Sequence, residues 1–284
     1  MRDHSLDEFE SIFERASIPV FEIPEIELKR IAAVLDGSEL DPSVLRLSRW
    51  LSERFEAHVS LFLSGSTDTV MPEWFEGEPE SYDGPLELTN TLNERGCQLM
   101  IFPQWGEDMH PLTELDDLVR LSRPPVLVLR NEIEHPETAF GKVLHSLTGN
   151  LAEIEHLSYS FTLVRDAGKL VLLHSVAEEE VDGLKETLKV SPGITTRKGD
   201  ELLRDMTRHA ERVLKGIVGA SRNEPYDVTY HLGVGDALMA VQHELSMGGY
   251  GLLVIGTHIE GKSHIDADDY QLLRRVREIP VLAL

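Results

Sequence analysis

The same order of strands and helices can be read twice along this chain of 284 residues. Residues 30–65 read as an apolar strand, a turn, a helix and a second apolar strand, and residues 142–176 repeat that order. Each half then ends with an apolar strand and a strand led by proline, at 97–103 and 124–129 in the first half and at 250–256 and 279–284 in the second. A repeat of more than one hundred residues indicates duplicated domains rather than a solenoid.

Alternation of strands with helices predicts a mainly parallel α/β sheet in each half. We therefore predict an α/β fold made of two tandem, doubly wound, mainly parallel-sheet domains, with a truncated first copy. The predicted boundaries are an N-terminal helix and connector at 1–29, a first domain at 30–130, a linker at 131–140 and a second domain at 141–284.

The truncation is predicted from one segment of the first half. Residues 64–84 are rich in glycine, proline and acidic residues and carry no periodic pattern, which is typical of a loop. At the same place the second half has an insertion at 177–198, a long charged helix at 199–219 and an apolar strand at 227–235. We therefore expect four strands in the first sheet and five in the second, with no counterpart of strand 227–235 in the first half.

Charge and composition exclude several classes of partner. The chain has 27 Lys and Arg against 50 Asp and Glu, a net charge of −23, which repels nucleic acids and anionic membrane surfaces. No apolar run approaches the roughly 18 residues that a membrane helix needs, and the acidic start lacks a signal-peptide pattern. The one cysteine, Cys97, cannot form an internal disulfide and is interpreted as a packing residue. We expect a cytoplasmic protein without membrane insertion.

Three motifs resemble the universal stress protein family, here as a tandem pair. They are the DGSE turn at 36–39, the VGD turn at 234–236 and the PVLVL strand at 125–129, and the resemblance covers about 30–130 and 141–284. The family implies five-stranded α/β domains that pair through their last strands. We therefore expect strands 125–130 and 280–284 to pair within the chain, with a homodimer as an open alternative.

Many members of that family bind ATP, and their nucleotide motif is degenerate in this chain. The motif, G-x2-G-x9-G-(S/T) after the fourth strand, lets backbone N–H groups approach phosphates. In the first half Pro103 replaces the first glycine and Trp105 adds bulk, whereas the second half keeps Gly256 but has Ile259 at the second glycine. Asp36 matches the acidic residue that contacts the base in nucleotide-binding members. We expect no ATP site in the first half.

Residues 256–263 (GTHIEGKS) match the phosphate-binding pattern G-x4-G-K-(S/T) in full. A P-loop NTPase is disfavoured because only one strand follows the match. Two interpretations remain: a surface turn, which we favour, and a phosphate cradle for ATP. The residues of that cradle would be Gly235, Gly256, Gly261, Lys262 and Ser263.

No catalytic constellation stands out, and a metal site at His231, His258 and His264 is disfavoured because no carboxylate or thiolate spacing supports zinc. The resemblance implies a cytosolic stress-response protein that acts through contacts with an unknown protein partner, without catalysis or with weak ATP hydrolysis at most. The alternatives are a nucleotide-binding regulatory module that uses the second domain, and a soluble regulatory partner of a transporter.

Overall fold

The computed structural model describes residues 21–65, 71–104, 112–147, 155–176, 196–256 and 267–284. Residues 1–20 of the predicted N-terminal helix and connector lie outside these ranges, as do Gly261, Lys262 and Ser263. So does most of the predicted insertion at 177–198.

Strands and helices alternate through both halves. In the first half they are β1 (Arg30–Leu35), α1 (Asp41–Phe55), β2 (His58–Ser64), β3 (Glu80–Tyr82), α2 (Pro85–Arg95), β4 (Leu99–Pro103), α3 (Leu112–Leu121) and β5 (Val126–Leu129). A short helix, α4 (Pro136–Ala139), lies in the predicted linker. The second half contains β6 (Lys142–Leu147), α5 (Glu155–Leu163), β7 (Lys169–Val176), α6 (Thr196–Ala220), β8 (Asp227–Val234), α7 (Ala237–Met247), β9 (Leu252–Ile255), α8 (Ala267–Arg275) and β10 (Val281–Ala283).

The described strands form one ten-stranded sheet in the order β3-β2-β1-β4-β5-β10-β9-β6-β7-β8. Neighbouring strands within each half are parallel. The two halves meet at β5 and β10, which pair antiparallel with Val281 opposite Val128 and Ala283 opposite Val126. The predicted pairing of the last strands within one chain is therefore confirmed.

Helices cover both faces of the sheet, as a mainly parallel sheet requires. On one face α1, α5 and α6 pack against the sheet and contribute Leu47, Leu157 and Leu214 to one hydrophobic core. On the other face α2, α3, α7 and α8 form a second core, which includes Leu92 and Leu272. No helix among the described residues is long and apolar enough to span a membrane.

The prediction that the first half lacks a counterpart of strand 227–235 is wrong. β3 pairs in parallel with β2, just as β8 pairs in parallel with β7, so both halves contain five strands. β3 has only three residues, Glu-Ser-Tyr, which are too few and too polar to produce a recognisable strand pattern. The first half is shorter at a helix instead. The described residues 71–79, which precede β3, contain no counterpart of the 25-residue α6.

Candidate functional site

Each half of the sheet has one crevice at the carboxyl ends of two neighbouring strands. The chain leaves one of these strands toward one side of the sheet and leaves the other strand toward the opposite side. The crevice lies between β1 and β4 in the first half and between β6 and β9 in the second. Ligands of open α/β sheets bind at such switch points, because the strand ends and helix starts there expose backbone N–H groups.

In the first half a carboxylate of the chain itself occupies the turn after β1. Oδ1 of Asp41 accepts a hydrogen bond from the backbone N–H of Asp36, and Oδ2 accepts one from the N–H of Gly37, both at 3.1 Å. Asp36, the predicted contact to a nucleotide base, accepts a hydrogen bond from the N–H of Ser38 at 2.9 Å. Asp41 is buried, so these two N–H groups are already paired with a negative charge.

The strand ends beside this turn are also occupied. Oε1 of the buried Gln104 accepts hydrogen bonds from Nε and Nη2 of Arg130 at 3.0 and 2.9 Å. The same guanidinium donates to the backbone carbonyl oxygens of Leu273 and Val276, at the end of α8. Burial lowers the pKa of Arg130 to about 10, so the side chain remains a cation near neutral pH. These hydrogen bonds join the ends of β4 and β5 in the first half to the end of α8 in the second half.

In the second half, the described part of the predicted phosphate site is Gly256, directly after β9. A Cβ atom at this position would lie 3.4 Å from Nδ1 of His156, in the first turn of α5. Gly256 therefore brings the strand end close to an imidazole at the switch point. Gly261, Lys262 and Ser263 lie outside the described residues, so their part of the site remains a prediction.

Gly235 is not brought to the same place as Gly256. It follows β8, and β6 and β7 lie between β8 and β9, so the two strand ends are separated by about 14 Å at a strand spacing of ~4.8 Å. Its N–H donates to the carbonyl oxygen of Val176 at 3.0 Å, and its φ of 123° is one that glycine adopts readily. One phosphate group cannot contact both glycines.

A serine and a histidine lie within hydrogen-bond distance beneath α5. Oγ of Ser160 lies 2.7 Å from Nδ1 of His145, and the two residues are 0% and 1% exposed. Burial, together with the nearby His156, lowers the pKa of His145 to about 3, so its imidazole is neutral at ordinary pH. Because solvent reaches neither side chain, we interpret the pair as part of the core rather than as a nucleophile and its base.

The other candidates for chemistry have structural partners. Nδ1 of His231 lies 2.6 Å from Oε1 of Glu244, and the hydroxyl of Tyr250 donates to Oε2 of the same carboxylate at 2.8 Å. The described residues include no group of three side chains that could hold a metal ion, and His258 and His264 lie outside them. Burial raises the pKa of the Cys97 thiol, which keeps it protonated and weakly nucleophilic.

Sequence reasoning missed three residues that shape these crevices: Asp41, Arg130 and His156. The position of Asp41, five residues after Asp36, could have indicated a turn closed by its carboxylate. Arg130 could have been noticed as a charge that directly follows the apolar strand VLVL. No local signal relates His156 to Gly256, because the strand order alone brings them together.

No protein-family model matches the sequence, and no curated protein matches it. Solved structures are similar along almost the whole chain. A protein of Pseudomonas aeruginosa provisionally named a universal stress protein has 17% identity and a TM-score of 0.58, covering 90% of this chain and 93% of its own. A universal stress protein of Archaeoglobus fulgidus has 12% identity and a TM-score of 0.53, covering 89% and 95%. A functionally unknown protein of Pseudomonas aeruginosa has 17% identity and a TM-score of 0.59, covering 90% and 92%. The chain therefore has the α/β fold of the universal stress proteins, with two such domains in one chain.

Proposed function

We propose that this protein acts in a stress response through contacts with another protein, and that it catalyses no reaction. The observation that carries the proposal is the closed turn after β1, where Asp41 pairs with the N–H groups of Asp36 and Gly37. These two N–H groups are not available to a ligand, and an anionic group placed at this turn would be repelled by the Asp41 carboxylate. The first domain is then a scaffold for association rather than a ligand-binding domain.

The absence of a plausible reaction centre among the described residues supports the same proposal. The Ser160–His145 pair is shut off from solvent, and no metal cluster is found in that part of the chain. The net charge of −23 disfavours polyanionic partners and favours a protein partner with a basic surface.

A second candidate function is a nucleotide-binding regulatory module in the second domain. Gly256 favours it, because this glycine ends β9 at the switch point and lies beside His156. Lys262 and Ser263 would supply the remaining contacts to phosphate.

Titration calorimetry with Mg-ATP, combined with an assay of phosphate release, separates these functions. We expect no phosphate release above the buffer blank. Heat of binding that disappears in Lys262→Ala and persists in Asp36→Asn would support the nucleotide module in the second domain. Heat that disappears in Asp36→Asn would contradict the scaffold role of the first domain, and phosphate release sensitive to Lys262→Ala would contradict the absence of catalysis.

The protein contact itself is tested by purification of the tagged chain from stressed and unstressed cells of its source. We expect one partner retained in a fixed ratio to the chain and released as salt screens the charges. Recovery of the chain alone under both conditions would contradict the proposal.

A further inference from the structure

A cleft of about 510 Å³ opens between α7 and α8, on the side of the sheet where β9 and β10 begin. Its inner wall consists of the apolar side chains Leu245, Val276 and Ile279 and the ring of the buried Tyr250. Gln242 and Arg275 lie exposed at its rim. The volume is within the range of small-molecule sites, which combine an apolar interior with a few polar groups.

The cleft lies away from the switch point between β6 and β9. It is at the opposite ends of the parallel strands, where Gly249, Tyr250 and Ile279 precede β9 and β10. Gly256 therefore lies at the other end of β9 from the cleft, and the inference is independent of the proposed function.

The equivalent place in the first half is spanned by a hydrogen bond. There the side chain of Asn93, two residues before the end of α2, accepts a hydrogen bond from the N–H of Arg123 at 3.3 Å and joins the helix to the segment before β5. Leu245, two residues before the end of α7, cannot make that bond. The helices also end differently, since α2 is followed by one glycine with a positive φ, Gly96, and α7 by two, Gly248 and Gly249. The two halves therefore differ in their contacts at this place.

Two cations lie beside the cleft, together with the carboxylates of Glu278 and Glu244. The Arg130 guanidinium donates to the carbonyl oxygen of Val276, in the cleft wall. Nζ of Lys142 lies 3.9 Å from the centroid of the Tyr250 ring and donates to the carbonyl oxygen of Gly248 at 3.0 Å. These two cations are held in place by the fold, which makes the local potential less negative than the net charge suggests.

The groups at the rim indicate which end of a ligand would face solvent. Arg275 makes no hydrogen bond or ion pair with another residue of the described ranges, so its guanidinium is available to a carboxylate. Glu278, the acid at the rim, accepts a hydrogen bond from the backbone N–H of Arg277 at 3.1 Å. Tyr250 already donates to Glu244 and therefore presents its ring rather than its hydroxyl.

We propose that this cleft binds a small organic anion with an apolar body and one carboxylate. The apolar body contacts Leu245, Val276, Ile279 and the Tyr250 ring, and the carboxylate pairs with Arg275 at the rim. Octanoate has this chemistry and serves as the probe.

Calorimetric titration of the full chain with octanoate tests the proposal. Arg275→Gln should weaken octanoate binding roughly tenfold, as expected for the loss of one charge-assisted contact. The matched control is Arg120→Gln: Arg120 lies six residues before β5, as Arg275 lies six residues before β10, but it belongs to the first half, away from the cleft. This control should bind octanoate as the unaltered chain does.

Two further measurements separate the cleft from other apolar surfaces. Ser246 is exposed and lines the cleft, so Ser246→Trp can fill the space without disturbing the core, and it should abolish binding. 1-Octanol, which has the same chain without the charge, should bind at least roughly tenfold more weakly than octanoate. Circular dichroism and the melting temperature verify that each variant is folded.

Any of four results would overturn the proposal. They are no octanoate binding at millimolar concentration, equal affinities of Arg275→Gln and Arg120→Gln, undiminished binding to Ser246→Trp, and equal affinities for octanol and octanoate. The first would be expected if the cleft accommodates a side chain of a protein partner instead.

Discussion

The hydroxyl of Tyr270 donates a hydrogen bond of 2.6 Å to Oδ2 of Asp116, and this bond joins α8 of the second half to α3 of the first. Nη2 of Arg274 donates to the same oxygen at 3.1 Å, and its guanidinium lies over the Tyr270 ring, 4.5 Å from the centroid. The other carboxylate oxygen, Oδ1, is buried and has no hydrogen-bond partner among the described residues. The two halves are therefore joined by a polar contact beside the strand pair β5–β10, and that contact depends on one oxygen atom.

Replacing Tyr270 with phenylalanine should lower the free energy of unfolding by about 1 kcal/mol, because it removes one hydrogen bond to a carboxylate that is mostly buried. Denaturant unfolding followed by circular dichroism measures this difference. The control is Asp117→Asn in the same helix α3, which removes an exposed ion pair with Arg120 and should change stability by less than about 0.5 kcal/mol. Equal stabilities of the two variants would show that the Tyr270 bond makes no net contribution.

Arg130→Met should be more destabilising, by about 2–4 kcal/mol, because three buried acceptors lose their donor at once. These acceptors are Oε1 of Gln104 and the carbonyl oxygens of Leu273 and Val276. Arg49→Met is the matched control, since Glu53 is the one ion-pair partner of Arg49 among the described residues and both side chains are more than half exposed. We expect the control to unfold at nearly the same denaturant concentration as the unaltered chain. A similarly small effect of Arg130→Met would contradict the structural role of the guanidinium.

Two glycines allow opposite predictions for the same substitution. A Cβ atom at Gly251 would lie 2.6 Å from the carbonyl oxygen of Thr138 and 2.7 Å from that of Ala139, so Gly251→Ala forces the backbone apart and should cost more than about 2 kcal/mol. At Gly219, inside α6, a Cβ atom meets nothing within 4 Å, so Gly219→Ala should raise stability by up to about 1 kcal/mol. Melting curves of the two variants should shift in opposite directions. A downward shift for Gly219→Ala would show that α6 packs differently at this position.

The apolar runs were sufficient to place most strands, because strands covered on both faces are nearly continuous apolar segments. The predicted strand at 97–103 is observed as β4, Leu99–Pro103, and the predicted strand at 250–256 as β9, Leu252–Ile255. The apolar pattern failed at β3, where pairing with β2 makes a strand of three residues that have little strand propensity of their own. Such a strand depends on its neighbour, and a local pattern cannot reveal it.

The candidate site was less predictable than the fold. Gly256 could be identified by its place in a motif, but whether it lies near Gly235 depends on the strand order, which places two strands between β8 and β9. The role of Asp41 depends on the turn that brings its carboxylate back to the N–H groups of Asp36 and Gly37. Such contacts are set by three-dimensional geometry and leave no periodic signal in the sequence.

The buried imidazole of His145 should make stability depend on pH between about 3 and 6.5. Its pKa is about 3 in the folded chain, against an ordinary value of 6.5, because burial and His156 disfavour the charged form. Below pH 6.5 the unfolded chain therefore binds a proton that the folded chain does not, so the stability contributed by His145 is complete above 6.5 and is lost as the pH falls. The loss should approach ~1.4 kcal/mol per pH unit within this window.

His145→Gln tests this, since glutamine can still bond to Ser160 but does not titrate. The test is valid even if the variant is less stable than the original chain at pH 7.5. What is measured is how the difference in free energy of unfolding between the two changes with pH. We expect unfolding curves at pH 7.5, 6.5, 5.5 and 4.5 to show the original chain losing stability relative to the variant at each step below 6.5. A constant difference for His145→Gln would mean that the folded chain protonates this imidazole as readily as the unfolded chain does.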